Sequence, residues 1–239
     1  MKKCRSHFQI YPNSLGGARE LRSTRITVSC VGGLYCHDFV YTRDSFISNF
    51  QGKVMISNFS ERQRQPEAEA RKAQFKQLPY KINILPDQAF AEGGEFLYAP
   101  KESLLFCGQS RNNALGNRLV ARWLKIKYWF TVISHGYHLD TVMALVKDRS
   151  DRVKAVLVCW DRIKNKRPLA AFLMARKIPA FTVEPVDSIG NGVLGTLAIN
   201  CLVLPGIMVG GDRFQTRGLA ARLITGFSGG SIHCLTNEL

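Results

Sequence analysis

The sequence contains no Cys-x-x-Cys pair. Its seven cysteines, Cys4, Cys30, Cys36, Cys107, Cys159, Cys201 and Cys234, stand singly and are odd in number. A disulfide framework and a cysteine-rich zinc site both need paired spacings, so neither is expected. No apolar run is long enough to span a bilayer. The most apolar stretch, 195–211 (GTLAINCLVLPGIMVGG), is broken by Asn200 and by Pro205-Gly206, and it reads better as two strands joined by a Pro-Gly turn. The opening MKKCRSHFQIYPNS has two lysines with no apolar segment behind them. Without an export signal, a reducing cytoplasm is the expected compartment. No Pro-, Ser- or Gly-rich linker divides the chain, so 1–239 is read as one domain, with 1–25 irregular.

Acidic residues are scarce: 18 Asp and Glu face 33 Lys and Arg, a net charge of +15. A nucleic-acid site would gather that charge on one element with aromatics between the cations. Here the basic residues are scattered, from Arg62, Arg64, Arg71 and Lys72 to Arg162, Lys164, Lys166 and Arg167. Solubility and nonspecific attraction to polyanions account for such a spread. Neither a specific nucleic acid nor a membrane is expected as a partner, and a homo-oligomer is left open.

With 46% hydrophobic residues, the chain has material for a substantial core. Short strand-like runs alternate with short helical ones. Strands are expected at Ile26–Cys30, Lys53–Ile56, Leu104–Cys107, Tyr128–Val132, Thr141–Val146, Ala155–Val158, Leu197–Leu204 and Ile207–Val209. Helices are expected at Glu61–Gln77, Asn113–Lys125, Arg167–Arg176 and Phe214–Ile224. The order is one of small mixed α/β units.

Four segments could carry chemistry. Cys234 follows Gly229-Gly230 in GFSGGSIHCLTNEL, where a mobile backbone can present a thiol; a buried structural cysteine is the commoner outcome for such a residue alone. In HGYHLDTVMALV (135–146), His138 and Asp140 stand two apart and would share one face of a strand, although a solvated turn reads equally well. Glu92 precedes Gly93-Gly94 in FAEGGEFLYAP, beside backbone that can approach a ligand closely; the bland reading is a hairpin turn with an exposed glutamate. In HDFVYTRDSF (37–46), Asp38, Tyr41 and Asp44 put carboxylates beside an aromatic edge, which suits a planar cation. A strand with charged ends would look the same.

In this order, HLDT at 138–141, GGSIHCLT at 229–236 and EGGE at 92–95 resemble the guanidino-group-modifying superfamily: arginine deiminases, dimethylarginine dimethylaminohydrolases and amidinotransferases. The resemblance runs from about Asp38 to Thr236, roughly four-fifths of the chain. It implies a five-bladed α/β propeller (pentein) of ββαβ units around a central site; with only 37 residues before Asp38, the first blade is expected to be either minimal or truncated. It implies Cys234 as nucleophile, His138 as general acid/base and Glu92 as the carboxylate paired with that histidine. Asp44 and Asp140 would grip the guanidinium, Arg64 and Arg111 would hold a substrate carboxylate, and Asp38 and Tyr41 would border the pocket. No metal and no cofactor are implied. The expected activity is hydrolysis of an arginine-like guanidine through an S-amidino intermediate; transfer of the amidino group to an amine, or an inactive relative that only binds, are the alternatives. Glu95 stands where family members often have Asp, a departure that bears on how the turn sits. Arg43 stands where dimethylarginine hydrolases are acidic, and those enzymes often lack the aspartate present here as Asp140; both points favour a deiminase-like or amidinotransferase-like pocket.

Overall fold

The computed structural model describes residues 38–39, 41–191, 195–209 and 232–237, all within one compact unit, Cys36–Leu239. The strand expected at Ile26–Cys30 and the helix expected at Phe214–Ile224 lie outside them.

A short helix α1 (Thr42–Ser45) leads into β1 (Phe46–Ser48) and β2 (Lys53–Ile56); α2 (Gln65–Phe75) then crosses to β3 (Lys81–Ile84). The same order returns as β4 (Phe96–Ala99), β5 (Leu104–Gly108), α3 (Ala114–Trp123) and β6 (Tyr128–Val132), and again as β7 (Met143–Lys147), β8 (Val153–Val158), α4 (Lys166–Ala175) and β9 (Ala180–Thr182). A hairpin of β10 (Leu202–Leu204) and β11 (Ile207–Val209) follows, and α5 (Ile232–Leu235) is the last described element. In each three-stranded sheet the first two strands run antiparallel and the third is parallel to the second. A helical crossover is what a parallel neighbour requires. The described residues thus form small mixed α/β sheets, as the sequence led us to expect.

Local chemistry sets the ends of these elements. Pro66 sits in the first turn of α2, where its missing N–H costs nothing. Asn113 accepts from the Gly116 amide to cap α3, and α4 stops before Lys177 at φ 54° and Pro179. Gly206, at φ +72°, turns the β10–β11 hairpin, as the Pro-Gly pair suggested. The largest core cluster joins Leu97, Leu104 and Phe106 of the second sheet to Met143, Val156 and Val158 of the third, with Leu169 and Leu173 of α4 above them. Leu139, between His138 and Asp140, is fully buried in that cluster. Burying one leucine is worth about 1.5–3 kcal/mol, so the turn bearing those two residues is pinned from below.

Three expectations need correction. The strand expected from Leu197 begins only at Leu202, because the amides of Thr196, Leu197 and Ile199 bond the Val186–Ser188 segment instead. The TRDS segment is a helical turn rather than a strand edge. His138 and Asp140 do not alternate on a strand: His138 is extended and Asp140 lies in a 3-10 turn, Leu139–Thr141, so their side chains take different partners. Among the described residues no helix is long and apolar enough to cross a membrane.

Candidate active site

Each first strand is preceded by a turn carrying polar side chains: Asp44 before β1, Glu92 before β4, His138 and Asp140 before β7, and Asn200 before β10. The repeated topology brings these lead-ins together. The α1 turn contacts both the Gly93–Glu95 turn and α5, and the Gly93–Glu95 turn contacts Leu139–Thr141.

Two glycines make the approach possible. A Cβ on Gly93 would run into the carbonyl oxygen of Arg43 and lie 2.8 Å from that of Phe46. A Cβ on Gly94 would lie 2.6 Å from Asp44 Oδ1 and 3.0 Å from His138 Cγ. Only glycine leaves the turn this close to both side chains. Gly94→Ala is therefore expected to displace Asp44 or His138 and to shift the titration of the His138 imidazole, which depends on its distance from Asp44. NMR of that ring together with a melting curve checks this; an unshifted titration in a folded variant would show that the approach is not needed.

Glu92, far from being an exposed hairpin residue, is 1% accessible. Its Oε2 lies 2.8 Å from His138 Nε2, and its amide donates to Asn112 Oδ1 at 2.7 Å. On the other side of the ring, His138 Nδ1 lies 3.5 Å from Asp44 Oδ1, within ion-pair reach though not aligned as a hydrogen bond. Burial alone would push His138 down; Asp44 and the bond to Glu92 outweigh it and raise the imidazole to about 10. Burial, with Asp140 and Glu92 nearby, pushes Asp44 up to about 6 against the pull of His138 and Arg64. The two acids on either side of the ring favour its protonated form.

Arg64 completes this half of the site. It is 5% accessible. Its Nη2 meets Glu67 Oε2 at 3.0 Å, while Nη1 meets Asp44 Oδ2 at 3.1 Å and Glu92 Oε2 at 3.5 Å. Its Nε also bonds Glu67 at 3.2 Å, and its plane stands over the Phe59 ring. Arg64, expected at a substrate carboxylate, has its guanidinium engaged by three protein acids in this arrangement. Three buried carboxylates so close together need a buried cation. Arg111 is likewise ion-paired, with Glu61. Asp38 stands at the rim, 3.8 Å from Arg64 Nε. Burial raises the Tyr41 hydroxyl, and Cys234, Asp38 and Asp44 raise it further against the pull of Arg64.

The second half is built on α5. Cys234 is 4% accessible, and its Sγ lies 3.9 Å from Asp140 Oδ2. The same oxygen takes a 2.7 Å bond from His233 Nδ1. Burial would raise Asp140, but the His233 bond and charge, with His138 and Arg43, hold it below the usual carboxylate range. Asn200 links the parts: its side-chain amide donates to the Asp140 carbonyl, and its Oδ1 accepts from the Cys234 amide, each at 3.3 Å. Sequence reasoning passed over His233, Asn200 and Glu67. His233 had a signal, since an imidazole beside the candidate thiol shares its short helix, and so did Glu67, one helical turn from Arg64. Asn200 had none, being far from every motif in sequence.

Among the described residues, nothing hydrogen-bonds two buried oxygens of this site, Asp44 Oδ1 and Asp140 Oδ1. Buried acceptors are seldom left so.

No family model matches the chain, and no curated protein matches it. Solved structures do. The N-terminal domain of ArgZ bound to product, an arginine dihydrolase from the ornithine-ammonia cycle in cyanobacteria, is 20% identical with a TM-score of 0.67, over 83% of this chain and 74% of that one. The chain has the fold of the guanidino-group-modifying enzymes. AgrE in complex with L-arginine, as a Cys-to-Ala mutant, shares this guanidino-modifying fold at 20% identity and a TM-score of 0.64, over 83% of this chain but only 30% of AgrE. DDAH from Pseudomonas aeruginosa, a Cys-to-Ser mutant complexed with citrulline, shares it at 15% identity and a TM-score of 0.56, over 74% of this chain and 62% of that one.

Proposed function

We propose that the chain is a cysteine-dependent hydrolase of an arginine-like guanidine, giving a ureido product and ammonia. The observation that carries this is the pair of buried oxygens, Asp44 Oδ1 and Asp140 Oδ1, that accept no hydrogen bond among the described residues, in a site that also holds a thiol and an imidazole. Two carboxylate oxygens with hydrogen-bonding capacity to spare call for a planar cation rich in N–H groups, and guanidinium is that cation. The solved structures of like fold, an arginine dihydrolase and DDAH, support the same reading.

The guanidinium sits between Asp44 and Asp140. Its charge offsets the Asp140 carboxylate that the sulfur faces at 3.9 Å, so substrate binding favours the Cys234 thiolate. The thiolate attacks the central carbon and forms a C–S bond. A C–N bond then breaks as protonated His138 gives its proton to the departing nitrogen, which leaves as ammonia. Water adds to the S-amidino carbon, passing a proton back to His138 with Glu92 holding the ring, and the C–S bond breaks to release the ureido product and the thiolate. Residues 1–239 act in this reading as one domain, with the three ββαβ sheets and the hairpin as blades of a five-bladed propeller.

Incubation with arginine, methylated arginines and agmatine, followed by mass spectrometry, tests the reading. The expected result is replacement of one guanidine nitrogen by oxygen in at least one compound, and labelling of Cys234 by a haloamidine. Absence of both signals from the folded protein would remove the proposal; an amidino group appearing on an added amine would make it a transferase.

A further inference from the structure

Glu95 takes no part in the chemistry above, yet it is fully buried at the end of the Gly93–Glu95 turn. Its Oε1 accepts from the Ser110 amide at 2.9 Å, the Arg111 amide at 2.6 Å and the Ser110 hydroxyl at 2.5 Å. Its Oε2 accepts from the Leu139 amide at 2.9 Å. One carboxylate therefore joins the turn that carries Glu92, the loop that carries Arg111 and the residue that follows His138. The Ser110 hydroxyl also lies 2.9 Å from the Tyr137 carbonyl. Its single proton serves one acceptor at a time, and the same segments are tied either way.

The surroundings are fitted to this side chain. A Cβ on Gly108 would overlap Glu95 Oε2 and lie 3.0 Å from Leu139 Cβ, so the end of β5 is open where the carboxylate passes. Three of the four donors are backbone amides, which cannot reverse direction. A glutamine would turn an N–H toward one of them and leave it buried without an acceptor. An aspartate would keep the charge but lose one methylene of reach.

We propose that Glu95 is a positioning residue that sets His138 against Glu92 and Asp44 and ties the Arg111 loop to the same point, so that proton transfer and substrate grip are aligned together. This rests on the function proposed above.

The test compares wild type, Glu95→Gln and Glu95→Asp in kcat, KM for arginine, the pH profile of kcat, and melting temperature. Glu95→Gln is expected to lower kcat by about tenfold to a hundredfold, the cost of one or two buried hydrogen bonds to a charged acceptor, and to raise KM for arginine. Glu95→Asp preserves the charge, so a displaced alkaline limb of its pH profile reports geometry rather than electrostatics. Folded variants with wild-type kcat, KM and pH profile would overturn the assignment, as would a loss matched by the fraction unfolded. If wild type itself neither turns over a guanidine nor takes a haloamidine label, the proposed function fails rather than the role of Glu95. That role is then read from the NMR titration of the His138 imidazole, which must differ between wild type and Glu95→Asp for it to stand.

Discussion

Cys234→Ser is expected to lower guanidine turnover on the order of ten-thousandfold or more, the scale seen when a covalent nucleophile is removed. The reason is chemical. Guanidinium is resonance-stabilised and resists water, and a thiolate divides its hydrolysis into two easier steps. A serine hydroxyl 3.9 Å from a carboxylate, the sulfur's present distance from Asp140, has no strong base to activate it. The fold should survive, because the anchor of this residue is its backbone amide on Asn200 and serine keeps that bond. Ureido product formation and a melting curve measure the two effects. A Cys234→Ser enzyme retaining near-wild-type turnover would exclude the sulfur as nucleophile.

His138→Asn is expected to lower kcat by about a hundredfold to ten-thousandfold, the usual worth of a general acid/base. The same variant should change how stability depends on pH. His138 is raised from 6.5 to about 10 in the fold, so the protonated ring is bound more tightly by the native state than by the unfolded one. Its contribution is fully present below pH 6.5, declines as pH rises from there, and is gone above about 10. Asp44, raised from 3.8 to about 6, favours the fold when protonated; its contribution is lost between those two values. Denaturant titrations should therefore show wild type exceeding the variant by a margin that narrows between pH 6.5 and 10. A margin that is constant across that range, or a variant with more than a tenth of the wild-type kcat, would remove His138 from the role.

The sequence was most legible where apolar and aromatic residues run together. The centre strands β2, β5 and β8 pair on both sides, and their apolar runs Lys53–Ile56, Leu104–Cys107 and Ala155–Val158 were readable. The flanking strands β1, β3, β4 and β9 went unread because three or four residues carry no period, and β3 and β9 are largely exposed. Motif order singled out Cys234, His138, Glu92, Asp44 and Asp140, since each stands beside glycines or charged partners within a few residues.

By itself the sequence determined the alternation of short strands and helices, the breaks at Pro and Gly, and which side chains could do proton and thiol chemistry. These depend on neighbours in the chain. Only the tertiary structure decided what those side chains face. Arg64, expected at a substrate carboxylate, lies among Asp44, Glu67 and Glu92, and Asp140, expected beside His138 on a strand, bonds His233 from 93 residues away. Partners so far apart in sequence are chosen by the repeated ββαβ topology, which brings the lead-ins of separate sheets together, and by the demand that every buried charge find a counter-charge.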